Sequence, residues 1–119
     1  MKTKKELKED YKQIRFKIGV FQIRNTVNGK IFISSAVNLD AIRNSNFAQL
    51  RFGAHRNEEL QKDWNQYGEE NFQFEILDEI KQDETKVVDY SKDVKQLEKM
   101  YIDELKPFDD KGYNMEPKS

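Results

Sequence analysis

The carboxylate of Glu98 is the side chain with the clearest potential for chemistry in this sequence. At about 100° per residue, Glu98 falls beside the middle of an arc of roughly 80° that holds the apolar helical positions Val94, Leu97, Tyr101 and Leu105. A carboxylate on an inward helical face is costly unless it is paired, hydrogen-bonded or bound to a metal ion. Two interpretations stay open: a metal ligand or catalytic acid at the rim of the core, or a structural carboxylate that meets a buried arginine.

Arg43 and Asn46 occupy similar positions on a helix predicted over residues 39–52. Both share its inner arc with apolar side chains, namely Leu39, Ile42, Phe47 and Leu50. Arg43 is therefore a candidate partner of Glu98, and it is equally a candidate phosphate ligand. Asn46 has a simpler interpretation as a hydrogen-bonding partner of the backbone.

His55 is the only histidine of the chain and is predicted to lie in a loop. A lone loop histidine is more often a surface residue than a catalyst, although it is the only candidate for a histidine base. Arg51, Arg56 and Lys62 surround it in sequence and form a basic cluster that could contact nucleic-acid phosphates. The spacing of polar residues fits no zinc site, P-loop, dinucleotide-binding loop or EF-hand.

Composition bounds the class of protein. The 119 residues suit one domain, and the absence of cysteine excludes disulfides and thiolate metal sites. The sequence shows no signal peptide and no apolar run near the roughly 20 residues of a membrane span, so a cytoplasmic location is expected. Residues 1–68 hold 13 Lys and Arg against 7 Asp and Glu, whereas residues 69–119 hold 8 against 15. A basic half is compatible with a polyanionic partner and equally with an ordinary solvated surface.

A β-hairpin over residues 17–36 is the main element expected to position the candidate site residues. Apolar, β-branched residues up to Asn25 precede Asn28-Gly29, which predicts a two-residue turn, and Lys30 to Ala36 form the returning strand. Gly53 closes the helix over residues 39–52.

The remaining elements complete an α+β fold. Asn57 and Gly68 should begin and end a second helix, residues 72–77 alternate as a third strand, and Pro107 ends the last helix. Thr3 to Glu6 has the spacing of a capping box, which predicts a short helix over about residues 4–13. The expected fold is a small, mainly antiparallel three-stranded sheet, formed by the hairpin plus one strand, with helices around it. Residues 1–16 are assigned to a basic N-terminal extension, 17–115 to the domain and 116–119 to a tail.

An ordered set of motifs resembles the GIY-YIG nuclease superfamily. Gly19-Val20-Phe21 and Phe32-Ile33-Ser34 on the hairpin look like its paired GIY and YIG segments. The resemblance continues along the chain through Gly53-Ala54-His55, Tyr67-Gly68, Glu98 and the closing Gly112-Tyr113-Asn114. It spans residues 17–115, and the layout is similar to the catalytic domain of phage intron-homing endonucleases.

This resemblance implies a site that hydrolyses a phosphodiester with one divalent ion, Mg²⁺ or Mn²⁺. It implies that Glu98 holds the ion, that His55 and Asn114 support the site, and that DNA is the partner, with RNA as an alternative. Four family positions differ here. Phe21 and Phe32 replace tyrosines that handle protons, Ser34 replaces a glycine, and Ile42 replaces an arginine that contacts the scissile phosphate. Arg43 is next in sequence, but on a helix it points about 100° away.

Three functions are consistent with the sequence. The first is an endonuclease that is weak or inactive, with His55 as the base and Arg43 or Arg56 on the phosphate. The second is a non-catalytic module on the same fold that binds nucleic acid or a protein. The third, an unrelated enzyme acting on a small molecule, lacks a second catalytic carboxylate or a nucleophile to support it.

Overall fold

A three-stranded antiparallel sheet organises the chain, with the strand order β2-β1-β3. The computed structural model describes residues 15–116, so the helix expected over residues 4–13 lies outside the described residues. The elements are β1 (Gly19–Asn25), β2 (Ile31–Ala36), α1 (Leu39–Arg51), α2 (Glu58–Tyr67), β3 (Phe72–Glu79) and α3 (Ser91–Leu105), with a 3₁₀ turn at Glu69–Asn71 before β3. The predicted α+β fold is confirmed. Across residues 15–116, no helix has both the length and the apolarity needed to cross a membrane.

The hairpin turn is wider than the two-residue turn predicted from Asn28-Gly29. Asn25 pairs with Lys30 through an N–H···O bond of 2.9 Å, which leaves residues 26–29 in the loop. The side chain of Asn25 accepts a hydrogen bond from the Val27 N–H at 2.9 Å and so bends the chain before Asn28 is reached. Gly29 supplies the positive φ of 78° that closes this longer loop.

Asparagine caps and glycines set the helix ends, as predicted for Asn57, Gly53 and Gly68, and Asn38 adds a cap that was not predicted. The side chain of Asn38 accepts from the Ala41 N–H at 3.1 Å, and that of Asn57 accepts from the Leu60 N–H at 3.0 Å. Gly53 and Gly68 follow α1 and α2 with positive φ values of 73° and 89°. The local sequence therefore fixes the loop that carries His55, between α1 and α2.

The main core lies between one face of the sheet and the helices α1 and α2. Its buried side chains are Phe21, Ile23, Phe32, Leu39, Leu50, Leu60, Trp64, Phe72 and Tyr113. The helix α3 packs on β2 and β1, where Val94 is buried. A Cβ on Gly19 would lie 2.0 Å from the carbonyl oxygen of Asp78, so only glycine allows β3 to approach β1 this closely.

The closing segment, residues 111–114, covers part of the outer edge of β2. Ile31 donates its N–H to the Lys111 carbonyl at 3.2 Å and accepts from the Tyr113 N–H at 2.9 Å. The Asn114 side chain continues this pairing, because its amide accepts from the Ile33 N–H and donates to the Ile33 carbonyl, both at 2.8 Å. An edge that would otherwise expose its backbone is thus occupied as far as Ile33.

Candidate active site

Glu98 lies beside Ser34 and Ser35, just beyond the part of β2 that the closing segment covers. Its Oε1 accepts a hydrogen bond from Ser35 Oγ at 2.8 Å, and Ser34 Oγ lies at 3.5 Å. The Nζ of Lys95, one turn earlier on α3, lies 3.6 Å from the same oxygen. The Glu98 side chain is only 19% exposed, so the predicted inward position is confirmed.

Arg43 does not reach Glu98, so the prediction of a Glu98–Arg43 ion pair is wrong. Its exposed guanidinium lies 6.0 Å from the ring centre of Phe47, in a groove of about 420 Å³ between α1 and β3. The cause is the helical rotation: Ile42 packs against the core, which turns the next residue toward β3. Arg43 is therefore not a phosphate ligand for the Glu98 site.

The two phenylalanines that the sequence resemblance places at tyrosine positions, Phe21 and Phe32, are core residues. Phe21 is fully buried and stacks on Phe74 with ring centres 4.8 Å apart. Phe32 is 7% exposed and borders a depression of about 540 Å³ that Arg56 and Asn114 also line. Neither ring can donate or accept a proton, so these two residues contribute packing and no proton transfer.

His55 is buried, so its interpretation as a surface residue is wrong. Its Nδ1 accepts a hydrogen bond from the Asn57 N–H at 3.0 Å, which places the proton on Nε2. That Nε2 lies 2.7 Å from Asn46 Oδ1, and the amide of Asn46 donates to the Ile42 carbonyl at 2.8 Å. With both nitrogens engaged, the imidazole has no free lone pair to activate a water. The Asn46–His55 pair was not predicted, although the inward position of Asn46 was the signal for it.

The environment of His55 also makes stability depend on pH. Burial, with a smaller contribution from the nearby charge of Arg56, lowers the pKa of His55. The unfolded imidazole takes up its proton near about pH 6.5, so below this pH the unfolded state binds more protons than the folded state. The free energy of unfolding should be unaffected by His55 above that pH and should fall as the pH decreases toward the lowered pKa.

Urea denaturation at about pH 7.5, 6.5 and 5.5 measures this slope. The control is His55→Gln, which removes the titrating group and should show a flatter dependence over that interval. The carboxylates whose pKa values are lowered, such as Glu69 and Glu75, act below about pH 4.5 and do not interfere. Equal slopes for the two proteins would contradict the assignment.

Tyr113 and Asn114 fix the geometry of the closing segment. The hydroxyl of Tyr113 donates to Asp63 at 2.7 Å and receives a hydrogen bond from the Asn25 amide at 3.1 Å. Burial, reinforced by the Asp63 carboxylate, raises the pKa of this hydroxyl, so it stays protonated. Asn114 clamps Ile33, two residues before Ser35. By holding Ile33, the closing segment fixes the position of β2 next to the serines that contact Glu98.

The basic cluster predicted around His55 is dispersed. Arg51 forms two hydrogen bonds of 2.7 Å with Glu69 and lines the groove between α1 and β3. Arg56 lines the depression beside Phe32, and Lys62 is exposed on α2. Of the three, only Arg56 borders the same strand edge as Glu98. Ser35 and Lys95 contact Glu98 directly, and neither was predicted as a site residue.

The fold is similar to that of an endonuclease catalytic domain. No protein-family model matches the sequence, so the assignment rests on individual relatives. Two solved structures of the catalytic domain of the homing endonuclease I-TevI share the fold with a TM-score of 0.69. The first, a mutant form, is 32% identical over 83% of this chain and 93% of the other, and the second is 29% identical over 84% and 99%.

A sequence relative extends the comparison to a full-length protein. Intron-associated endonuclease 1 of Enterobacteria phage T4 is 36% identical over 64 residues, which is 54% of this chain. The chain spans about a quarter, 26%, of the length of that relative. These matches show that the chain belongs to the GIY-YIG nuclease superfamily.

Proposed function

We propose that this domain hydrolyses DNA phosphodiesters at the outer edge of β2, slowly, with a divalent ion held by Glu98. The observation that carries the proposal is the Glu98 carboxylate, held by Ser35 at 2.8 Å and 19% exposed, with no arginine paired to it in residues 15–116. Ser35 and Lys95 both contact Oε1 of this carboxylate, so its second oxygen is the atom that a ligand would engage. The endonuclease relatives support DNA as the partner, and RNA is the competing nucleic acid.

The Glu98 carboxylate is compatible with a single ion, either Mg²⁺ or Mn²⁺. The described contacts of Glu98 with Ser34, Ser35 and Lys95 all end at Oε1, which leaves Oε2 for a ligand. No group of three or more His, Asp and Glu side chains converges within residues 15–116, so any ion would keep most of its water ligands, as Mg²⁺ commonly does. Such an ion would stabilise negative charge on the phosphoryl oxygens.

Slow turnover follows from the residues that surround Glu98. In hydrolysis a water oxygen bonds to phosphorus, the ester P–O bond breaks, the water loses a proton and the leaving oxygen gains one. Phe21 and Phe32 cannot accept the proton of the water, and both nitrogens of His55 are engaged, so this proton passes to solvent. The loss of a general base costs about 10²–10⁴ in rate. The absence of an arginine on the scissile phosphate lowers the rate by a further factor of about 10²–10³, by analogy with oxyanion-hole donors.

Arg56 is the better placed of the two arginines predicted to contact phosphate. It is exposed and lines the depression that Phe32 and Asn114 also border, whereas Arg43 lies in the groove between α1 and β3. We assign Arg56 to a phosphate of the bound strand and not to the reacting group itself. Arg51, ion-paired with Glu69, and Lys62 on α2 are more distant contributors to binding.

Nicking of supercoiled plasmid at excess enzyme with Mn²⁺ tests the proposal. The wild-type protein should nick slowly, and chelation should stop it. Glu98→Gln, which keeps the shape but removes the charge, should lower the rate by at least about 10²-fold. Glu104→Gln makes the same change at an exposed position of α3 and should leave the rate unchanged. No cleavage above background by the wild-type protein would reject the nuclease function.

A non-catalytic nucleic-acid-binding or protein-interaction module on the same fold is the second candidate. It is favoured by the core positions of Phe21 and Phe32, which serve stability without catalysis. It predicts DNA or RNA binding that weakens with salt, without turnover, and that is reduced by Arg56→Ala. Binding that is absent or independent of salt would leave a protein-interaction role.

A further inference from the structure

We propose that Lys95 is the phosphate clamp of this site and supplies the positive charge that Ile42 cannot. The inference rests on the proposed function, because it assigns a substrate contact beside Glu98. Among the described residues, Lys95 is the cation paired with Glu98, at 3.6 Å from Nζ to Oε1. It lies on α3, on the opposite side of the sheet from Ile42, which packs in the core formed with α1 and α2.

The pairing of Lys95 with Glu98 is loose enough to be exchanged for a substrate. At 3.6 Å the contact is an ion pair without a short hydrogen bond, and the Lys95 side chain is 67% exposed. Exposed ion pairs of this kind contribute little stability, because solvent screens them and long side chains lose entropy. The Lys95 ammonium can therefore turn from Glu98 to a phosphate without a large cost.

Charge balance explains why a cation is needed at this position. A divalent ion held by Glu98 would balance the carboxylate and one phosphodiester, and the additional negative charge that develops at phosphorus in the transition state is left for a second cation. Lysine is a common phosphate ligand that acts as a point charge and needs no fixed geometry. Lys95 meets the requirement because its ammonium already lies at the carboxylate.

The other cations contact different parts of the surface. Arg43 lies in the groove between α1 and β3, and Arg56 lines the depression at the Phe32 end of the strand edge. Lys95 lies at the Ser35 end, since Ser35 and Lys95 both contact Oε1 of Glu98. We therefore assign Lys95 to the phosphate beside Glu98 and Arg56, which lines the depression beside Phe32, to another phosphate of the bound strand.

The salt dependence of DNA binding, measured by fluorescence anisotropy with a labelled duplex in chelator, tests the contact without any turnover. Lys95→Ala should reduce the slope of log K against log [salt] by about one relative to the wild-type protein. Lys95→Arg should keep the slope. The matched control is Lys99→Ala, an equal loss of charge at an exposed position next to Glu98 in sequence but rotated about 100° on α3.

Nicking assays on the same variants separate this inference from the proposed function. Lys95→Ala should lower kcat/KM by about 10- to 10²-fold, while Lys99→Ala should not. If the wild-type protein binds DNA but does not nick it, the proposed function fails. The salt slopes of the Lys95 and Lys99 variants then still show whether Lys95 contacts a phosphate. If it nicks and Lys95→Ala matches Lys99→Ala in slope and rate, Lys95 is not the clamp. Absence of DNA binding by the wild-type protein would overturn both.

Discussion

Phe32→Tyr is expected to raise the rate of DNA nicking by about 10²-fold, the lower end of what a positioned general base contributes. Phe32 is 7% exposed and borders a depression at the edge of β2, on the same strand face as Ser34, whose Oγ lies 3.5 Å from Glu98 Oε1, so a hydroxyl on its ring would point toward the site. Phe21 is a poorer position for the same change, because it is fully buried against Phe74 and a hydroxyl there would need a partner inside the core. Single-turnover plasmid nicking with Mn²⁺ measures the gain.

Phe72→Tyr is the matched control for this gain of function. Phe72 is 6% exposed and borders the groove between α1 and β3, so its hydroxyl would enter a groove on the strand at the opposite edge of the sheet from β2. It should leave the nicking rate unchanged. If Phe32→Tyr folds with the stability of the wild-type protein and nicks no faster than Phe72→Tyr, a missing hydroxyl at this position is not what limits the rate.

Gly112→Ala is expected to lower the free energy of unfolding by about 3 kcal/mol, the upper end of the usual cost of overpacking. A Cβ at this position would lie 2.4 Å from the carbonyl oxygens of both Ile31 and Pro107. Since these are backbone atoms, relief requires the closing segment, residues 111–114, to move off β2. Asn114 would then lose its two hydrogen bonds to Ile33. Urea denaturation measures the loss, and nicking should fall with it.

Gly29→Ala separates this clash from the general cost of replacing glycine. Gly29 has a positive φ of 78°, and a Cβ there would meet no atom within 4 Å. Only the backbone conformation is penalised, by about 1–2 kcal/mol. A cost for Gly112→Ala no greater than that for Gly29→Ala would show that the closing segment is not tightly held against β2.

Local chemistry made most of the fold predictable. The helix ends follow from Asn38, Asn57, Gly53 and Gly68, because side-chain caps and positive φ act within a few residues. The hairpin turn was predicted too short, because the motif Asn28-Gly29 ignores the side chain of Asn25. That side chain bends the chain three residues earlier, and its burial against Tyr113 depends on contacts 88 residues apart in sequence.

The candidate site was only partly predictable, for reasons that differ between residues. Helical periodicity identified Glu98, because an inward carboxylate depends on its own helix alone. The same argument failed for Arg43, since the exact rotation of α1 depends on Ile42 packing against the sheet. The burial of His55 depends on Asn46 in the middle of α1 and on Asn57 at the start of α2, and no single segment of the sequence contains both contacts.

Nicking by Phe32→Tyr, with and without Glu98→Gln, tests most directly whether the outer edge of β2 performs the chemistry. Because the added hydroxyl should raise the nicking rate above that of trace contaminating nucleases, the effect of removing the Glu98 charge can be measured against it. In single-turnover assays with Mn²⁺, we predict that the double variant Phe32→Tyr/Glu98→Gln returns to background. A double variant that nicks as fast as Phe32→Tyr alone would contradict a catalytic site at Glu98.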